Sequence, residues 1–145
     1  MADLAQTARL LLFNTGALYR LLHRRAQQAG IRWSGLMVLN DLAQLGPLSQ
    51  RELADIEQVR PATLSLLVKE LLTEGLVSRE ADENDRRAVR VCITPAGRDR
   101  LERDATRLAQ VLEKALESLG DAALAELVRG EERLAQLLHN RESAA

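Results

Sequence analysis

The side chains best suited to chemistry are arginines and small polar residues between Ser49 and Thr94. Arg86 and Arg87 end a polar run, 82–87, that separates two stretches with alternating apolar residues. A guanidinium donates hydrogen bonds in a fixed fork that fits phosphate oxygens, and it suits narrow grooves of strongly negative potential. The chemistry that this pattern favours is recognition of a polyanion.

Residue patterns for catalysis are missing from the sequence. It has no Gly-rich phosphate loop, no Ser/His/Asp or Cys/His set, and no carboxylate pair that the sequence would bring into a cleft. No spacing of Cys and His resembles a zinc site. We therefore expect no enzyme activity, no cofactor and no metal.

Two helices are predicted to position the polar residues. Ser49 and Glu52 have the spacing of a capping box at the start of the first helix. The second helix should begin at Pro61 and end before Gly75. Its apolar residues recur at helical spacing and predict a buried face: Leu64, Leu67, Val68 and Leu71. The opposite face carries Ala62, Thr63, Leu66, Lys69 and Thr73.

A β-hairpin is predicted after the second helix. Val89, Val91 and Ile93 alternate with more polar residues, as in a half-buried strand, and Leu76–Glu80 would be its partner. Leu48 is expected to add a one- or two-residue strand beside it. Two helices with a short connection, followed by a hairpin wing, form a winged helix-turn-helix, which docks a helix in the major groove of DNA.

Long helices are expected on both sides of this segment. Asp3 would cap a helix that ends near Gly30, and Ser34 would cap a second helix that ends at Gly46–Pro47. Further helices are predicted from Pro95 to Leu119 and from Asp121 to about His139. The fold class is therefore mainly α with a small β-wing. The expected division is an N-terminal dimerisation helix (1–32), a winged helix-turn-helix (33–94) and C-terminal dimerisation helices (95–145), all within one compact subunit.

Composition adds few constraints. Formal net charge is −1, and segment 49–94 has seven Lys/Arg against nine Asp/Glu, so any DNA-binding surface must come from the placement of charge. Only 2% of residues are aromatic, which predicts a core of Leu, Val and Ala. One cysteine fits a reducing compartment. No leader and no apolar run near 20 residues is visible, so we expect a soluble, cytoplasmic protein.

The sequence resembles the MarR family of bacterial transcription factors over nearly its whole length. The resemblance rests on LSQRELADIEQVRPATLSLLVKELLTEGLVSRE and on the wing signature Asp85, Arg87, Ile93, Thr94 and Gly97. It implies a triangular dimer, with recognition helices in successive major grooves and wings in flanking minor grooves. The chain departs from the pattern at Arg60, where Ser or Thr usually caps the recognition helix, and at Leu66, often a cation.

The candidate DNA-binding residues fall into three groups. Ala62 or Leu66 could contact a thymine methyl group, and Thr63 could hydrogen-bond a base. By family position, Arg87 would enter the minor groove, oriented by an ion pair with Asp85. Gln50, Arg51, Arg60 and Arg90 suit phosphate contacts, which position a protein without reading sequence. The full set is Gln50, Arg51, Arg60, Ala62, Thr63, Ser65, Leu66, Lys69, Asp85, Arg86, Arg87 and Arg90. The alternative is a solvated helix face and an exposed loop of mixed charge.

Two further sites are considered. The resemblance implies a small aromatic or phenolic effector at the junction of the dimerisation helices and the DNA-binding region, near Tyr19, His23, Trp33 and Met37. Ordinary core packing is the alternative there. Cys92 alternates with Val91 and Ile93, so it is predicted to face away from their core, as either an inert residue or a redox switch.

The leading hypothesis is a ligand-responsive repressor that binds a pseudo-palindromic operator in double-stranded DNA as a homodimer. The alternative is a winged-helix module that binds protein without specific DNA binding, which the acidic balance of segment 49–94 motivates. No membrane association is expected.

Overall fold

The computed structural model describes residues 3–142, and the side chains of residues 3–138. This part of the chain contains six α-helices and two β-strands. In order they are α1 (Leu4–Gln28), α2 (Trp33–Leu45), α3 (Gln50–Glu57), α4 (Pro61–Thr73), β1 (Val77–Ala81), β2 (Val89–Ile93), α5 (Pro95–Leu116) and α6 (Asp121–Glu142). The prediction of a mainly α fold with a small β-wing is confirmed.

Helix α3 begins with the predicted capping box. The Glu52 N–H donates to Ser49 Oγ at 3.1 Å, and the Ser49 N–H donates to Glu52 Oε2 at 2.7 Å. These two bonds satisfy backbone donors that a helix start otherwise leaves unpaired. They also lower the pKa of Glu52, chiefly through the Ser49 backbone N–H. The start of the helix-turn-helix is therefore fixed by local hydrogen bonds.

The wing is an antiparallel hairpin of β1 and β2, with Val77 opposite Ile93 and Ala81 opposite Val89. Leu48 forms the predicted bridge beside it: its N–H donates to the Val91 carbonyl at 3.1 Å, and the Val91 N–H donates to the Leu48 carbonyl at 2.7 Å. The wing is therefore tied to the segment between α2 and α3, and not only to its own turn.

One apolar cluster holds the helix-turn-helix and the wing together. It joins α2, α3, α4 and both strands, and its buried members are Val38, Leu39, Leu42, Leu53, Ala54, Leu64, Val68, Leu71, Leu76, Val77 and Val91. All are aliphatic, as the low aromatic content predicts. A second cluster of Ala26, Ile31, Leu36 and Leu108 joins the end of α1 to α2 and α5.

The N-terminal helices differ from the sequence prediction in detail. Helix α2 begins at Trp33, one residue before the predicted cap Ser34, and Arg32 in its N-cap position makes no side-chain capping bond. The two apolar faces of α1 predict a core on one side and another subunit on the other, and within the single chain Ala26 is the one buried residue of this helix. Periodicity identified the apolar residues of α1, although it could not tell what covers them.

The chain divides into two compact units, of which the first ends at Leu108 and the second begins at Ala109. Each described side chain from Ala109 to Leu138 is exposed or only partly buried. Several large apolar side chains of the second unit are exposed: Leu119, Leu127, Val128, Leu137 and Leu138. Helix α5 ends at Leu116, three residues before the predicted end. None of the described helices has the length and hydropathy to cross a membrane.

Candidate nucleic-acid interface

The outer face of α4 is free of contacts with the core. Leu64, Val68 and Leu71 are buried beneath it. The predicted reading residues on the other side are exposed: Ala62, Thr63, Ser65, Leu66 and Lys69. Leu66 is 66% exposed, which is unusual for a large apolar side chain. The face offers methyl groups, two hydroxyls and one ammonium, a set that can make apolar and hydrogen-bonding contacts to base edges.

The turn before α4 leaves the start of this helix open. Gln58 has a left-handed backbone (φ 55°) and ends α3, and Arg60 stands in the N-cap position of α4 without a side-chain capping bond. Pro61 occupies the first turn, where its fixed φ suits the helix and its missing N–H costs nothing. The remaining N–H groups of this first turn, with the helix dipole, favour an anion such as a phosphate. Arg60 is exposed beside them.

The tip of the wing presents Arg86 and Arg87 to solvent. Both are exposed, and neither forms an ion pair within the part of the chain that the structure describes. Asp85 accepts a hydrogen bond from the Arg87 backbone N–H at 3.0 Å. The carboxylate of Asp85 thus shapes the turn, whereas the predicted ion pair with the Arg87 guanidinium does not occur there. The Arg87 side chain is left available for an external partner.

Arg90 is held by two internal partners. Its Nε donates to Asp82 Oδ2 at 2.8 Å, and its NH1 group donates to the Pro47 carbonyl at 2.9 Å. The hydrogen bond from the Arg90 guanidinium is the main reason that the pKa of Asp82 lies below its ordinary value. Arg90 therefore fastens the wing to the start of the Leu48 segment. The sequence predicts Arg90 only as a phosphate contact and gives no signal for its pair with Asp82.

A groove lies between the start of α3 and the wing. Gln50, Arg79, Val89 and Val91 line a space of about 350 Å³. Arg79 is exposed and was not singled out from the sequence, although its place at the centre of β1, opposite Val91, could have indicated it. Arg51 is exposed in the first turn of α3. Gln50, Arg51 and Arg79 thus add polar groups beside the wing.

Three of the four predicted effector residues lie together at the α1–α2 junction. The ring centroids of Tyr19 and Trp33 are 5.6 Å apart in an edge-to-face arrangement, and those of Tyr19 and His23 are 5.5 Å apart. Tyr19 is 50% exposed, while Trp33 and Met37 pack against the second apolar cluster. Edge-to-face rings of this kind stabilise one another, so the arrangement is consistent with core packing as well as with a ligand site.

Cys92 lies outside the apolar cluster that contains Val91, as the alternation along β2 predicts, but its side chain is not exposed. The residue is buried, although its β2 neighbour Val91 is buried as well. Both faces of β2 are covered at this point, so strand alternation does not separate core from solvent. Burial, followed by a hydrogen bond to the Glu80 side chain, raises the pKa of the Cys92 thiol. A buried thiol with a raised pKa is a poor nucleophile, which favours the inert reading over a redox switch.

The described residues contain no group of three or more His, Cys, Asp or Glu side chains that could hold a metal ion. The chemistry of the surface built by α3, α4 and the wing is hydrogen bonding, ion pairing and apolar contact.

Comparison with known proteins agrees with this architecture. Residues 31–89 match the model of the MarR family. An uncharacterised HTH-type transcriptional regulator of Bacillus subtilis, YwaE, is 32% identical over 72 residues, which are half of this chain and 42% of that protein. The matched segment thus spans less than half the length of that curated relative.

Solved structures match over most of the chain. A putative transcriptional regulator from Pseudomonas aeruginosa is 29% identical with a TM-score of 0.76, and the match covers 93% of this chain and 94% of that one. A MarR family protein from Bacillus stearothermophilus has a TM-score of 0.77 with the same coverage and 24% identity, a similarity of fold.

Proposed function

We propose that the chain is a sequence-specific DNA-binding regulator of the MarR family, whose model matches residues 31–89. The observation that carries this proposal is the exposed outer face of α4, whose first turn begins at Pro61 without a side-chain cap, beside a wing whose tip arginines form no ion pair with the described residues. In this account α4 enters the major groove, and Arg87 enters an adjacent minor groove.

The proposed DNA contacts divide by role. Ala62, Thr63 and Leu66 would contact base edges, with thymine methyl groups as partners for the apolar side chains. Arg51, Arg60, Lys69 and Arg79 would contact phosphates, which position a protein without reading sequence. Arg90 acts indirectly, since its guanidinium is already bound to Asp82 and Pro47.

We also propose a homodimer, which would place two recognition helices on a pseudo-palindromic operator. Support comes from the exposed apolar residues of α1, which are Leu4, Leu10, Leu11, Leu12, Phe13 and Leu18, and from those of α6. Large apolar side chains that are exposed in such number on one helix mark association sites in soluble proteins. Repression is the direction of control that we propose.

A small aromatic or phenolic effector is proposed at Tyr19, His23, Trp33 and Met37. Binding there would favour one arrangement of the dimer and lower DNA affinity to the extent that the effector prefers it. Trp33 is the single tryptophan of the chain, so its fluorescence reports this site directly. Titration with benzoate-like acids should change that emission and release DNA together. A fluorescence change without release of DNA would contradict the regulatory role.

The wing part of the proposal is tested by Arg87→Ala. We expect operator affinity to fall by about tenfold, roughly 1.4 kcal/mol, and the preference for A·T-rich flanks to disappear. The matched control is Arg24→Ala, which removes an exposed arginine from α1 that has no proposed DNA contact. Fluorescence anisotropy with labelled duplexes measures both. Equal affinity and equal flank preference in the two variants would rule out insertion of Arg87.

Binding to a protein partner is the second candidate. The excess of two acidic residues in segment 49–94 favours it, because DNA binding usually accompanies a basic surface. DNA-binding regulation is nevertheless the better account. Among the described residues, the cations of the outer surface that form no ion pair include Arg60, Lys69, Arg86 and Arg87. The acidic residues Glu70, Glu74 and Asp82 are instead paired with Arg32, Arg100 and Arg90.

A further inference from the structure

Two carboxyl groups meet at the contact between α2 and α3. Asp41 lies near the end of α2, and Glu57 is the last residue of α3. Oδ2 of Asp41 is fully buried and receives no hydrogen bond from the described residues. The Glu57 side chain is within hydrogen-bonding reach of the Asp41 carboxyl. A carboxylate only accepts hydrogen bonds, so this contact requires that one of the two carboxyls carry a proton.

We propose that Asp41 and Glu57 share one proton that holds α3 against α2, and that loss of this proton as pH rises loosens the turn before α4 and weakens DNA binding. The proton resides on Glu57, which donates to Asp41. Deprotonation places two negative charges together at a partly buried contact, one residue before the left-handed Gln58 turn that leads into α4.

The surroundings disfavour two ionised carboxylates. Both side chains lie towards the C-terminal ends of their helices, where the helix dipole repels negative charge. Burial, then the contact with Asp41, raises the pKa of Glu57 to about 7. Removing one proton from such a pair is costly because like charges in contact repel strongly in a poorly solvated site.

The nearby cations do not offset this repulsion. Arg32 and Glu70 line the same cleft as Glu57, but the Arg32 guanidinium is already bound to Glu70 and Glu74. Asp41 is the only charged residue in the sequence of α2, and Asp55, on α3 itself, is also acidic. Arg60 is exposed three residues after Glu57 and forms no ion pair among the described residues.

The sign of the effect on stability follows from proton binding. Glu57 has a raised pKa in the folded chain and an ordinary value near 4.5 when unfolded, so the folded state binds more protons between these values. The stabilisation from protonated Glu57 is fully present below pH 4.5 and is lost as pH rises through about 7. Because DNA binding favours the turn that this proton holds, DNA affinity weakens over the upper part of the same pH range.

The test uses Glu57→Gln in the full-length protein, because a glutamine amide donates to Asp41 at every pH. Asp55→Asn is the matched control, since it removes one acidic charge from an exposed position of the same helix. Three readouts are followed from pH 5 to 8 at constant ionic strength. They are the side-chain ¹³C shift of Glu57, the amide signals of residues 59–63, and the affinity for operator DNA.

We expect Glu57 to titrate near pH 7, with the amides of residues 59–63 shifting at the same midpoint. The DNA affinity of wild type and of Asp55→Asn should fall by about threefold or more between pH 6 and pH 8. The affinity of Glu57→Gln should not show this fall. Titration of Glu57 near its ordinary pKa, or amide shifts in Glu57→Gln equal to those of wild type, would overturn the shared proton.

The DNA part of the inference rests on the proposed function, and the experiment distinguishes failure of the switch from failure of the proposed function. Equal pH dependence of DNA affinity in Glu57→Gln and wild type would overturn the switch even if the proton is shared. Absence of DNA binding at every pH would refute the proposed function together with the switch, while the two NMR readouts would still decide the shared proton.

Discussion

At the scale of single residues, Gly97 has less room for a side chain than any other glycine of the chain. A Cβ added there would lie 2.0 Å from the Leu76 carbonyl oxygen and 2.8 Å from Ile93 Cγ1. The Gly97 N–H donates to Thr94 Oγ1 at 3.0 Å, and the Thr94 hydroxyl donates to the Gly75 carbonyl at 2.7 Å. Only glycine lets the start of α5 pack this closely on the backbone that follows α4.

Gly97→Ala is therefore expected to destabilise the protein by about 2 kcal/mol or more, because backbone atoms must move to admit the methyl group. Gly130→Ala is the matched control: a Cβ there meets nothing within 4 Å, and the residue lies inside α6. We expect the control to gain about 0.5–1 kcal/mol through helix propensity. Urea unfolding measures both, and a neutral Gly97→Ala would show that the approach is looser than described.

Residue identity predicted some functional features and not others. The exposed outer face of α4 and the exposed arginines of the wing were predictable from spacing alone. The helix face opposite an apolar stripe turns to solvent, and a hairpin tip as polar as this one is not buried. The Asp82–Arg90 pair and the Asp41–Glu57 contact did not, since each depends on how separate segments meet. Strand alternation placed Cys92 on the side of β2 away from Val91, but it could not predict that this side is covered as well.

At the scale of elements, local signals predicted the helix-turn-helix best. The Ser49–Glu52 capping box, Pro61 and Gly75 each act through contacts within a few residues, so these helix ends depend little on tertiary packing. The start of α2 was harder to predict: Ser34 is a good capping residue by type, but Arg32 occupies the N-cap position and its guanidinium binds Glu70 and Glu74 instead. The contacts of Arg32 with residues far along the chain have no signal in the local sequence.

Ser49→Ala is expected to lower the free energy of unfolding by about 1 kcal/mol through loss of the α3 cap. Ser34→Ala is the control, because this exposed serine is not in the cap position, and its replacement should have little effect. Equal losses in the two variants would contradict the assignment of caps.

The pH dependence of the cap has a definite sign. The pKa of Glu52 is lowered, so its contribution is present above the ordinary value of 4.5 and is lost as pH falls through the lower, folded-state value. Glu52→Gln should therefore reduce the acid sensitivity of unfolding. Urea unfolding of this variant and wild type between pH 3 and 6 measures the difference, and an unchanged pH slope would contradict it.

At the scale of the whole molecule, exposed apolar surface is the feature that a single chain leaves unexplained. Sequence periodicity identified the apolar residues of α1 and α6, but it could not say whether a core or another copy covers them. The structure leaves Phe13 65% exposed and Leu127 47% exposed. Such side chains are costly to leave in water, at roughly 25 cal/mol per Å² of apolar area.

Phe13→Glu is expected to shift the proposed dimer towards monomer, because a carboxylate would have to be desolvated at the interface. Gln27→Glu adds the same charge at an exposed polar position of α1 and should leave association unchanged. Sedimentation velocity over a range of concentrations measures the change. A wild-type monomer at all concentrations, or equal behaviour of the two variants, would contradict the proposed role of this face.

Sequence-specific DNA binding is tested by fluorescence anisotropy with labelled DNA from the gene's own upstream region. A scrambled duplex serves as the reference, and both are titrated at several salt concentrations. We expect a preference of roughly 10³ or more for the upstream DNA, with log affinity falling linearly in log salt as phosphate contacts are lost. Equal affinity for both duplexes at every salt concentration, or binding that ignores salt, would contradict it.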